Sequence, residues 1–120
     1  MVPPGDGIVF KEGPDFKNRT SQAKELVAKI VAEFKATLDW RHAGELICLE
    51  WCPGKQVCLG VRCAYMTIDG KLYWVLFKAE GATCGLLNVF QMPAEEKACK
   101  ARIEVLKEMH KANSSRRRHG

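Results

Sequence analysis

The 120-residue chain has no run of about 20 apolar residues, the length a membrane-spanning helix needs, so no membrane span is expected. Its opening stretch, MVPPGDGIVFKEGPDF, has neither a basic leading region nor a long apolar core, which argues against a secretory signal. Without such a signal, the glycosylation-type tripeptide Asn18-Arg19-Thr20 is read as coincidence. Catalytic signatures are missing too: there is no G-x-S-x-G elbow, no phosphate-binding loop and no G-x-G-x-x-G turn. Histidine is scarce, with only His42, His110 and His119, and none stands near a cysteine in sequence. A cysteine nucleophile needs a neighbouring base, so no enzyme is expected.

Six cysteines are present, but no Cys-x2-Cys pair. A tetrahedral metal site needs convergent ligands. Cys58 and Cys63 differ by an odd number, so a strand would point them to opposite faces. Cys48 with Cys52 would be the best nucleus for zinc, yet neither a metal nor another cofactor is expected. Cys48, Cys58, Cys63 and Cys84 sit in apolar runs and Cys99 in a helical pattern. Reduced, buried thiols in a cytoplasmic or nuclear protein are the simplest reading.

Hydrophobic residues make up 47% of the chain and charged residues 28%, the balance of one globular domain. Net charge is +5, and it is unevenly placed. From Lys97 onward, eight basic residues oppose Glu104 and Glu108, a local charge of +6; the preceding residues sum to −1. Such asymmetry points to an acidic partner.

Residues 1–19, with Pro3-Pro4-Gly5 and Gly13-Pro14, read as an extended arm in which Ile8 to Phe10 can form an edge strand. Residues 20–112 read as the folded domain. Thr20 or Ser21 is positioned to cap a first helix, whose apolar stripe is Ala23, Leu26, Val27, Ile30, Val31, Phe34 and Leu38. A strand over 46–51 follows, then Pro53-Gly54, a strand over 56–67, Asp69-Gly70, a strand over 71–79, a turn over 81–85 and a strand over 86–90. Pro93 opens a last helix with an inward stripe of Ala98, Cys99, Arg102, Ile103, Leu106 and Met109; it fades near Ala112-Asn113 into a disordered basic tail over 113–120. The expected fold is a two-layer α+β domain: helix, antiparallel meander of three to four strands, helix, with both helices on one sheet face.

Over residues 21–112 this order resembles that of double-stranded-RNA-binding domains and of the small signal-recognition-particle proteins that bind Alu RNA. Double-stranded-RNA-binding domains carry a Gly-Pro-x-His loop and a Lys-Lys-x-Ala-Lys helix start. Here the matching segments read Cys52-Pro53-Gly54-Lys55 and Glu96-Lys97-Ala98-Cys99-Lys100, so the likeness is one of element order.

The functional expectation is therefore a non-catalytic module that binds RNA or another polyanion. Lys97, Lys100, Lys107, Lys111, Arg116, Arg117 and Arg118 would meet phosphates, with Lys55 and Arg62 in support. The plain alternative for the helix is a solvated face, on which Glu96–Lys100 and Glu104–Lys107 pair locally. The Arg116–Arg118 run also fits a nuclear-localisation patch. A second expectation is a homodimer or protein-interaction module that uses a sheet edge or an open sheet face bearing Trp51, Tyr73 and Trp74.

Overall fold

The computed structural model describes residues 7–52 and 57–118, excepting the side chains of 50–52, 57–59 and 110–118. Among the described residues five strands form one sheet: β1 (Val9–Glu12), β2 (Glu45–Cys52), β3 (Val57–Ile68), β4 (Lys71–Glu80) and β5 (Thr83–Gln91). Three α-helices accompany them: α1 (Pro14–Thr20), α2 (Lys24–Ala36) and α3 (Glu96–Arg118). The fold is α+β, but the sheet is mixed rather than a simple meander. Its order is β1-β5-β4-β3-β2, and β1 runs parallel to β5 while the other pairings are antiparallel.

Strand alternation produces two cores. On one face Ala64, Met66, Ile68, Val75, Phe77, Cys84 and Leu86 pack against Phe16 of α1 and Ile30 and Phe34 of α2. On the other, Val61, Cys63, Leu76 and Phe90 pack against Cys99 and Leu106 of α3. The molecule is thus three-layered, not two-layered, because both sheet faces carry an apolar set that must be covered. A bulge in β5 keeps the pattern consistent: Leu86 and Val89 differ by three yet share a core, because the β4–β5 register shifts between Leu76 and Phe77. Phe34 anchors the first core, with its ring 4.8 Å from that of Phe77 and 6.5 Å, edge-on, from that of Trp40. Burying an aromatic of this kind contributes about 1.5–3 kcal/mol.

Several local expectations are revised. The stretch expected as an extended arm holds the edge strand anticipated near Ile8 to Phe10, as β1, but also the unforeseen α1, since Pro14 suits the first turn of a helix and Phe16 is fully buried. Thr20 does not cap α2; its hydroxyl donates to the Phe16 carbonyl, and the N-cap of α2 is Ala23, with no side-chain bond. Leu38 is 86% exposed because α2 ends at Ala36, with Thr37 donating to the Glu33 carbonyl. In α3, Ala98 and Met109 are exposed although the inward stripe includes them. Helical backbone runs on to Arg118, past Ala112-Asn113. The turn between β4 and β5 shortens to Gly81-Ala82, so Gly85 lies inside a strand. Asp69-Gly70 behaves as the sequence implies, with φ of 53° and 78° in a two-residue hairpin. Residues 1–6 and the Pro53-Gly54 turn lie outside the described residues.

The sheet edge at β5 is closed in an unusual way. β1 covers β5 only from Thr83 to Leu86. Beyond it, the Val89 N–H donates to Asn88 Oδ1 at 2.9 Å and the Gln91 N–H to Glu95 Oε1 at 3.0 Å. Glu95 also pairs with Arg19 of α1, whose guanidinium lies 4.3 Å from the Phe90 ring centre. Arg102 of α3 adds a link to Asp15 of α1 at 3.4 Å. Side chains therefore occupy strand donors that would otherwise invite another chain.

Candidate polyanion interface

The site is built on α3. Its register is fixed by Cys99 and Leu106, buried under the helix, with Ile103 half-buried between them. That spacing leaves Lys97, Lys100 and Lys107 on the exposed side. They share it with carboxylates: Lys100 lies 3.8 Å from Glu96 and Lys107 4.0 Å from Glu104. Exposed pairs of this type contribute only a few tenths of a kcal/mol, and they lower the local positive field.

Charge is graded along the helix. From Glu96 to Leu106 three cations face two carboxylates; from Lys107 to Arg118 five cations face Glu108 alone. This second stretch includes Lys111, Arg116, Arg117 and Arg118, all on helical backbone. Their side chains, and Lys55 altogether, lie outside the described residues.

Arg62 belongs elsewhere. Its guanidinium donates to the carbonyls of His42, Ala43 and Gly44 at 3.1, 3.2 and 3.3 Å. It thereby fixes the entry to β2, where Gly44 has φ of +71° and an added Cβ would fall 1.8 Å from the Cys63 carbonyl oxygen. An arginine committed to three carbonyls is a poor phosphate contact.

Among the described residues, Tyr73 and Trp74 do not share one open face. Tyr73 packs against the core under α1 and α2, and Trp74 against the core under α3. Adjacent strand residues point to opposite faces, and each face has its helix. Trp74 meets Tyr65 edge-on at 5.2 Å, and the Tyr65 hydroxyl donates to Glu45. Burial first, and then that bond to Glu45, raise the Tyr65 pKa. Trp51 stands in β2, but its side chain is outside the described residues.

The buried thiols are chemically quiet. Burial pushes both Cys63 and Cys84 up to about 12, and it also raises Cys99, which hydrogen-bonds with Cys63. Such thiols stay protonated at neutral pH and are weak nucleophiles. Among the described residues no group of three or more His, Cys, Asp or Glu is placed to hold a metal ion, and no helix is long and apolar enough to cross a membrane.

Sequence features alone had missed the edge closure by Asn88 and Glu95. Its only trace was a carboxylate placed just ahead of the last helix. No protein-family model matches the chain, and neither a curated protein nor a solved structure shows significant similarity to it.

Proposed function

We propose that the protein is a non-catalytic RNA-binding module that contacts phosphates through the distal half of α3. The supporting observation is the helical continuation of α3 for twelve residues past Leu106, a stretch with five cations and one carboxylate. A helix spaces these residues about 1.5 Å apart along its axis, so they form a basic rod of roughly 18 Å. The proximal lysines, shared with Glu96 and Glu104, are secondary. Contact of this kind releases counterions and reads charge rather than base sequence.

The test is a filter-binding titration with a single-stranded RNA probe at several salt concentrations. Five phosphate contacts give a log–log slope near −3.5, or roughly a 130-fold loss of affinity between 50 and 200 mM salt. R116Q/R117Q/R118Q lowers the slope to about −1.4, leaving roughly a 7-fold loss over the same range. A flat titration of the unaltered protein refutes the proposal.

One observation favours a second reading, association through a sheet edge. β2 is the outer strand of the sheet, with no described strand paired beyond it, and its Leu46 and Leu49 are 42% and 56% exposed. An outer strand of eight residues can add a strand from a second copy or another protein.

A further inference from the structure

Asn88 is a polar residue on the α3 side of β5, where its register partner Leu76 and nearby Phe90 belong to the core under α3. It is only 5% exposed. Its Oδ1 accepts the Val89 N–H, which fixes the amide orientation, since a backbone N–H can donate only to the oxygen. Closing the strand edge therefore accounts for the oxygen alone. Among the described residues nothing accepts a hydrogen bond from Nδ2, although a polar group this deep ordinarily has a partner.

Asn88 lines a cleft of about 430 Å³ between α1 and α3, within the size range of small-ligand sites. Phe90 shares its floor, Ala98, Ala101 and Val105 form the α3 wall, and Arg19 stands on the α1 wall. Both alanines are exposed, and their small side chains leave the slot open. The charges here are already matched: Arg19 pairs with Glu95, and Arg102 lies 3.4 Å from Asp15. Among the described residues no unpaired cation lines the cleft, so it does not suit a phosphate. What it offers is an uncharged donor at the floor, an apolar wall, and a guanidinium held 4.3 Å from the Phe90 ring centre, a plane on which a flat ring can stack. That combination fits a neutral aromatic ring bearing a carbonyl oxygen. The α3 wall also leads toward the basic stretch: Met109, 53% exposed, stands four residues past Val105, and position 116 falls three turns past it on the same side of the helix.

We infer that this cleft is a base slot, in which an RNA base enters edge-first between α1 and α3, stacks on the Arg19 guanidinium and accepts a hydrogen bond from Asn88 Nδ2 through a carbonyl oxygen. The inference rests on the RNA-binding reading and deepens it: phosphates along the distal half of α3 supply affinity, and the slot supplies a base preference. Uracil, with two carbonyls, suits the slot. Adenine has none, and its amino group would set donor against donor at Asn88.

The test uses the full chain with fluorescein-labelled 12-nucleotide oligo(U) and oligo(A). Kd is measured by anisotropy across salt, and the Asn88 side-chain amide is followed by NMR. Oligo(U) is expected to bind roughly 5-fold tighter than oligo(A), the worth of one hydrogen bond, and to shift the Asn88 amide signals to saturation. Asn88→Asp keeps an oxygen for the Val89 N–H and removes the donor; Ala101→Phe fills the slot from an exposed helix position. Each is expected to abolish the difference between the two oligomers, and Ala101→Phe to do so with salt slope and melting temperature retained. R116Q/R117Q/R118Q is expected to weaken both oligomers and keep their ratio. If the salt slope is steep but the two oligomers bind equally, or their ratio persists in both slot variants, the slot is refuted and the helix reading survives. If the unaltered protein shows no salt-dependent binding to either oligomer, both fall. If Ala101→Phe weakens the two oligomers by the same factor, the cleft is a contact without base preference and the inference as stated is wrong.

Discussion

Replacing Glu95 tests how the β5 edge is held shut. Its carboxylate has two tasks: Oε1 accepts the Gln91 N–H at 3.0 Å, and Oε2 pairs with Arg19. Glu95→Ala removes both. Leaving the half-buried Gln91 N–H without its acceptor costs about 1–2 kcal/mol. Losing an ion pair whose members are 32% and 36% exposed costs well under 1 kcal/mol, because water screens it. A total near 2 kcal/mol lowers the melting temperature of a chain this size by roughly 8 °C. Glu95→Gln keeps an acceptor and loses only the charge, so its shift should be about 2 °C. pH supplies a second reading. Burial works against the charge on Glu95, but the Gln91 bond and Arg19 outweigh it and hold its pKa below the ordinary carboxylate value. The folded state then binds fewer protons than the unfolded state, so this contribution is present above the ordinary carboxylate pKa and is lost as pH falls through the lowered value. Thermal denaturation followed by circular dichroism measures all three effects. Equal shifts for Glu95→Ala and Glu95→Gln would refute the view that the strand donor, rather than the ion pair, is what Glu95 chiefly serves.

Two other outcomes are expected. If the β2 edge joins two copies, light scattering gives twice the chain mass, and Leu49→Lys returns it to a single chain; a monomer before and after removes that reading. With Cys63 and Cys84 pushed up to about 12, the unfolded chain loses these protons first as pH rises past its ordinary thiol range near 9. Stability should therefore decline between about pH 9 and 12 and recover in part in Cys84→Ala, as measured by urea midpoints; an unchanged profile in that variant counts against a protonated buried Cys84.

Much of the middle of the chain was legible because its signals are local. The Asp69-Gly70 turn and the flanking alternation locate β3 and β4 closely, since hairpin geometry demands those residue types. What failed was non-local. β1 pairs with β5 from more than seventy residues away, and no local pattern records that pairing. Two apolar sets on β3 were visible, yet assigning both helices to one face ignored that the second set, Val61 and Cys63, also needs cover. The Gly81–Gly85 span looked like one loop because glycine usually punctuates turns, whereas Gly85 is a strand residue. On the candidate site, charge placement along α3 could be counted directly. The neutralising partners of Lys100 and Lys107 follow helical spacing, but the commitment of Arg62 to three carbonyls depends on where β2 enters the sheet.

The recruitment of β1 to the far side of β5 also governs the order in which the molecule can be completed. In a growing chain the hairpins of β2 to β5 can pair as they emerge, while Val9 to Glu12 must wait for Thr83 to Leu86. The N-terminal strand and α1 are therefore expected to close last: a peptide spanning them should dock onto a chain that lacks them, and a tag that tethers them elsewhere should leave the β5 margin bare until it is released.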